Sequence, residues 1–145
     1  MPKIRFYLAP EARAKGSPFE APKDLDAGFD IRASENIVID AKGQAIIPTG
    51  LKLSIPKGWV GIVKDRSSMA SKRLYTHAGV IDAGYRGEVR IVMSNHGETN
   101  FHIEEGSKIA QMVVVPCLTD AEEVVAESEL GATSRGVRGF GSTGK

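Results

Sequence analysis

Ile and Val together number 24 in this chain of 145 residues, against 7 Leu, and they fall in short runs cut by Gly, Pro, Asn or Asp. β-Branched side chains lose rotamer freedom in a helix and pack well on a pleated surface, so this balance selects sheet over helix. Apolar or alternating stretches recur at residues 4–8, 37–39, 45–47, 51–55, 60–63, 88–94, 101–103 and 109–115. They predict strands joined by short turns. No window sustains helical periodicity, and a turn or two is expected only at 68–74 or 120–123. So many short strands in a chain this long predict one all-β domain: a sandwich, jelly roll or barrel.

Nineteen Lys and Arg against eighteen Asp and Glu leave a formal charge of +1. That near balance excludes binding of nucleic acid or a membrane surface by bulk charge, so any phosphate affinity must be local. The longest apolar stretch, residues 112–118, is broken by Pro116 and falls far short of the roughly 20 residues of a membrane span. The first ten residues, MPKIRFYLAP, carry no apolar core with a small-residue cleavage site, so the expected location is cytoplasmic, or nuclear in a eukaryote, and not secreted. Cys117 is the only cysteine, which excludes an internal disulfide and a cysteine-based zinc site. Within VVVPCL it reads as a small hydrophobe rather than a nucleophile.

Composition shifts near the C-terminus. Five acids between Asp120 and Glu129 give way to GATSRGVRGFGSTGK, which holds five glycines and no acid. The expected division is a β domain over 1–130 and a flexible segment over 131–145. Such a tail cannot pack a core, and simple disorder is one reading. The other is a lid: Arg135, Arg138 and Lys145 seek phosphate, and Phe140 sits among glycines with nothing local to bury it. GFGSTGK also fits half of a Walker A loop, but the Ser/Thr and the helix that must follow its lysine are missing.

Three further constellations carry chemistry. In DRSSMA, residues 65–70, Arg66 offers a bidentate fork, and Ser67 and Ser68 offer hydroxyls and, if a helical turn starts there, backbone donors. A Ser-capped turn with a surface Arg is the structural alternative. In GVIDAGYRGEV, residues 79–89, Val80 and Ile81 lead through Asp82 to a glycine turn, and the segment reads as a β-hairpin. Gly84 and Gly87 would let its backbone approach a planar ligand. Asp82 is a candidate general base beside Tyr85, whose ring could pack on a sugar, though an Asx turn explains the same residues. In DAGFDIRA (26–33) and GSKIAQMV (106–113), Asp30 and Gln111 interrupt apolar surroundings. Each must find polar partners, either as part of a structural network or as a holder of metal-bound water.

DAGFDIRA, DRSSMA, GVIDAGYRG, GSKIAQM and RGVRGFGSTG stand in the order and approximate spacing of the five motifs of trimeric dUTPases, and the chain resembles that family over residues 24–144. The resemblance implies an all-β, jelly-roll-like subunit in a homotrimer, with active sites shared between subunits and closed by the C-terminal tail of one of them. It implies Mg²⁺-dependent cleavage of dUTP to dUMP and pyrophosphate. Asp82 would activate water, Tyr85 would stack under the deoxyribose, and the backbone through Gly79, Val80, Ile81 and on to Arg90 would read uracil. Arg66, Ser67 and Ser68 would hold phosphates. Asp30 and Gln111 would reach the metal only through water, its direct ligands coming from the substrate phosphates. Arg135 would clamp the γ end, Phe140 would cover the base, and Gly141 would be a further substrate contact.

Two positions depart from the pattern. Asp65 stands where such proteins commonly carry Pro or Gly, and a carboxylate beside Arg66 weakens triphosphate binding unless it points away or pairs with a cation. Arg90 stands where small or apolar residues are usual. The rival of the same fold is a dCTP deaminase, which needs a Glu on the strand after the aspartate; that position here is Val92, and a valine moves no proton. A nucleotide-gated regulatory protein on the same fold is the rival from another class.

Overall fold

The computed structural model describes residues 2–14 and 19–140. Its strands are β1 (Arg5–Leu8), β2 (Phe29–Arg32), β3 (Ile37–Ile39), β4 (Gln44–Ile47), β5 (Leu51–Ser54), β6 (Trp59–Lys64), β7 (Leu74–His77), β8 (Val80–Ile81), β9 (Ile91–Asn95), β10 (Phe101–Ile103) and β11 (Lys108–Pro116). Helix appears only as α1 (Pro10–Ala14), α2 (Ser67–Ala70) and a 3₁₀ turn at Glu127–Leu130 among the described residues. The expected all-β, jelly-roll-type fold is what the chain adopts.

Every pairing is antiparallel. One sheet runs β2-β11-β6-β8, another β4-β9-β7, and the ribbons β1-β5 and β3-β10 complete the body. The two-residue period of a strand explains the core. In β9, Ile91 and Met93 are buried, while Val92 between them lines a surface groove. Ile31, Ile39, Ile47, Leu74, Ile109 and Met112 meet them in one apolar cluster.

Four local expectations need correction. The 79–89 segment is not a ladder-paired hairpin: β8 pairs with β6, and β9 pairs with β4 and β7. Burial decides this, because Gly61 of β6 accepts Ile81 opposite it, whereas the buried β9 is already flanked on both sides. The helical turn near 68–74 starts one residue earlier and ends at Ala70, and the C-terminal turn falls at Glu127–Leu130 rather than 120–123. Strand β7, LYTH, and helix α1 were not evident from periodicity. Cys117 is half-buried with a free thiol, and its N–H donates to the Gly58 carbonyl at 2.8 Å.

The chain changes sheet twice between β7 and β9, and this crossing positions the site. β7 belongs to the three-stranded sheet, β8 to the four-stranded one, and β9 to the first again. The switch from β7 to β8 uses two left-handed residues, Ala78 at φ 58° and Gly79 at φ +99°. A Cβ on Gly79 would stand 3.1 Å from the Val63 carbonyl oxygen, and the Val63 N–H donates to the Gly79 carbonyl oxygen at 2.8 Å. Glycine at 79 is therefore required by both φ and space.

Candidate active site

The crossing leaves a groove of about 410 Å³ walled by residues 77–82 and by Tyr85, Glu88, Val89, Arg90 and Val92. Gly79, Val80, Ile81, Asp82, Tyr85 and Arg90 are thus brought together as expected. Asp82 opens a tight turn, with the Tyr85 N–H donating to its carbonyl at 3.1 Å, and its side chain is exposed. Arg86 braces the turn by donating to the carbonyls of Ala83 and Tyr85 at 2.7 and 2.8 Å.

Gly87 serves a different purpose from the ligand approach expected of it. A Cβ there would stand 2.4 Å from the Tyr85 hydroxyl oxygen, so the glycine makes room for the Tyr85 ring, whose hydroxyl donates to the Glu88 carbonyl at 2.9 Å. Glu88 is the fastener that sequence reasoning missed. Its Oε1 accepts from the N–H groups of Thr49 and Gly50 at 3.1 and 2.9 Å, and its Oε2 pairs with Arg90 Nε at 3.0 Å. Burial pushes the Glu88 carboxyl up, but the Gly50, Arg90 and Thr49 hydrogen bonds and the Arg90 charge outweigh it and hold it below its ordinary 4.5. Arg90 is accordingly tied down by Glu88.

A second constellation lies where β6, β11 and β2 run side by side. Gln111 faces Asp30 on one flank and Lys64 on the other. A Cβ on Gly28 would stand 2.6 Å from Gln111 Oε1, so that glycine is the space in which the amide lies. Asp30 pairs with Arg66 at 3.5 Å and with Lys108 at 2.7 Å. Lys108 is a cation that motif reading passed over; only the strand register brings it to Asp30. Ser67 and Ser68 open α2, both exposed, and the first bonds of that turn run from the Met69 and Ala70 N–H groups to the Arg66 carbonyl. The amides ahead of them have no partner within the helix. The Asp65 carboxylate is bound to β7, its Oδ1 accepting from both the N–H and the hydroxyl of Thr76 at 2.7 Å.

For a divalent metal the donor set here is one carboxylate, Asp30, and one amide oxygen, Gln111. No group of three or more His, Cys, Asp or Glu converges among the described residues. Hard oxygen donors this few suit an ion that keeps its water and takes direct ligands from a polyphosphate, as Mg²⁺ does.

The two constellations do not share one cavity: none of Asp30, Arg66, Ser67, Ser68 or Gln111 lines the Asp82 groove. The described part of the tail lines neither. Arg135 Nε donates to the Arg138 carbonyl at 2.9 Å, and Arg138 Nε returns a bond to the Arg135 carbonyl at 3.0 Å. Phe140 is fully exposed. Gly141 lies outside the described residues.

The model of the family described as dUTPase matches residues 17–144. The chain belongs to the dUTPase family. A deoxyuridine 5'-triphosphate nucleotidohydrolase of Debaryomyces hansenii is 48% identical over 83% of this chain and 76% of its own length. One of Candida glabrata is 43% identical over 92% and 89%. Among solved structures, Staphylococcus bacteriophage 80alpha dUTPase with dUpNHpp covers 99% of each chain at a TM-score of 0.89 and 31% identity. Membership makes this chain a dUTP diphosphatase by family and suggests a divalent metal cofactor. No helix among the described residues is long and apolar enough to cross a membrane.

Proposed function

We propose that the chain hydrolyses dUTP to dUMP and pyrophosphate, with Asp82 as the base that activates water for attack on the α-phosphorus. The observation that carries this reading is the Asp82 groove itself: an exposed carboxylate in a wall of main chain 77–82, beside a tyrosine ring held rigidly over Gly87. Backbone groups along that wall can read the edge of a uracil, and the Tyr85 ring leaves no room for a 2′-hydroxyl under the sugar. Asp82 takes the proton as the water oxygen bonds to the α-phosphorus and the bond to the bridging oxygen breaks, its electron pair leaving on pyrophosphate. Arg66 and the Ser67 and Ser68 groups hold the phosphates. Mg²⁺ bound with the triphosphate supplies charge neutralisation, and Asp30 and Gln111 would hold water of its shell.

The exposed Phe140, and Arg135 bonded only within the tail, support a homotrimer in which segment 131–145 closes over a site formed by neighbouring subunits and Arg135 meets the γ end. Phe140 then covers the base, with Gly141 as a further substrate contact. The lone thiol of Cys117 suits a cytoplasmic or nuclear location. Val92 in the groove wall counts against deamination, and the Glu88 carboxylate nearby is already bonded to Thr49, Gly50 and Arg90.

Pure protein with Mg²⁺ and dUTP, dCTP, dTTP or UTP, with pyrophosphate and ammonia followed together, tests the reading. Only dUTP should release pyrophosphate efficiently. Ammonia from dCTP would install the deaminase reading instead. Asp82→Asn should lower turnover by roughly 10²- to 10⁴-fold, the range for a lost general base, without weakening an unhydrolysable dUTP analogue. Normal turnover in that variant would return Asp82 to a turn residue.

A further inference from the structure

We propose that Asp65 is a positioning residue: it clamps the turn carrying Arg66, Ser67 and Ser68 between the two sheets and so sets the affinity for the triphosphate. This rests on the reading of that turn as the phosphate holder. A four-residue helix cannot fix its own place, since isolated helices are marginal below about 12–15 residues, and α2 has no side-chain bond at its N-cap. Residue 65 supplies what the helix lacks. Its carboxylate Oδ1 accepts two bonds of 2.7 Å from Thr76 of β7, and Thr76 lies opposite the buried Met93 of β9. Its main-chain oxygen accepts from Gln111 Nε2 of β11 at 2.9 Å. The residue preceding Arg66 is thereby pinned to the three-stranded sheet by its side chain and to the four-stranded sheet by its backbone. Gln111 also lies directly across from Asp30, the carboxylate that pairs with Arg66, so one set of bonds sets the guanidinium, the helix start and the amide together.

Both Thr76 bonds end on the same oxygen, which makes the requirement one of hydrogen-bond acceptance rather than of charge. An asparagine oxygen can accept the same pair, whereas alanine cannot. Groove and phosphate turn should therefore respond differently to substitution here. β7 keeps its place through β9 whatever residue 65 is, so the base-reading wall stands when the phosphate turn loosens.

The test compares Asp65→Asn, Asp65→Ala and Thr76→Val in the full chain with the wild type. Affinities for α,β-imido-dUTP and for deoxyuridine, steady-state kinetics on dUTP, and hydrogen exchange at Thr76 and residues 66–70 are the readouts. Asp65→Ala should weaken the imido analogue by about tenfold, the scale of a lost charge-assisted hydrogen bond. It should leave deoxyuridine affinity unchanged and speed exchange at Thr76, and Asp65→Asn should restore all three toward wild type. Equal weakening of both ligands would overturn the proposal in favour of general destabilisation. An Asn variant as impaired as Ala, or an Ala variant that binds the analogue more tightly than wild type, would overturn it as well. If Asp65→Ala does not fold, Thr76→Val keeps the backbone bond while losing the hydroxyl and should show the same split at smaller size. If the wild type neither binds nor cleaves dUTP, the functional reading fails, and exchange alone still judges the clamp: unchanged rates in Asp65→Ala would overturn it.

Discussion

Glycines punctuate both the groove loop and the C-terminal tail, yet they do opposite things in the two places. In the loop, Gly79 adopts a left-handed φ against Val63, and Gly87 lies under the Tyr85 ring with no space for a Cβ; only Gly84, at the tip, is free of contact. In the tail, Cβ atoms on Gly131, Gly136 and Gly139 would meet nothing within 4 Å. Glycine in the loop buys close approach and hence a wall with one shape. In the tail it leaves backbone freedom that only an outside surface can remove. Under the proposed function, a recognition half that is preorganised and a closing half ordered only on binding would separate specificity from turnover.

The largest test of this contrast is removal of segment 131–145. The described part of the tail buries almost nothing, so the melting temperature should hold, while kcat for dUTP should fall on the order of 10²-fold, the scale set by misplaced reacting groups. Paired melting curves and steady-state kinetics decide it: a collapse in melting temperature would make the tail structural, and unchanged kinetics would make it a disordered end. Phe140→Ala should reproduce part of the loss, about 1 to 2 kcal/mol, within the range for base stacking in comparable contacts.

Next in size is the same substitution made in both regions. Gly87→Ala drives a methyl into the Tyr85 hydroxyl, and since that ring is hinged at residue 85 it must swing away. A stability loss of about 1–3 kcal/mol is expected, together with rising turnover of UTP relative to dUTP as the ring leaves the sugar position. Gly139→Ala should stay within about 0.5 kcal/mol. Equal effects at the two positions would erase the contrast.

Sequence legibility follows the same division. The strands were readable because Ile and Val alternate or cluster where a face is buried, as in 37–39 and 101–103, which appear unchanged as β3 and β10. β7 was not, because LYTH buries only Leu74 and one apolar residue makes no period. The partner of β8 was not, because pairing with β6 rather than with the next strand is decided by which sheet has an open edge. The groove residues were readable as a contiguous motif, whereas Lys108 meeting Asp30 and Thr76 meeting Asp65 depend on register between distant strands. Glu88 was visible as a charge, but its partners Thr49 and Gly50 lie 39 and 38 residues away.

Glu88 provides the smallest and most selective test. Hydrogen bonds from the Gly50, Arg90 and Thr49 donors outweigh the burial that pushes its carboxyl up, leaving the folded-state value below the ordinary 4.5. A carboxyl lowered in the folded state contributes stability that is complete above its unfolded value and disappears as pH falls through its folded value. Glu88→Gln should therefore melt below wild type at neutral pH, and the gap should narrow as the pH is taken below the ordinary 4.5 and on through the lowered folded-state value. Its charged partner Arg90 is largely exposed, so screening keeps the gap to a modest shift. The groove fastener makes no hydrogen bond or ion pair with the described part of the tail, and a chain lacking 131–145 should show the same convergence of the two melting curves with pH. A gap that stays constant across the range would mean that shape rather than charge at residue 88 holds the 49–50 turn, and a convergence that vanishes on truncation would mean that the tail reaches the groove in the resting protein.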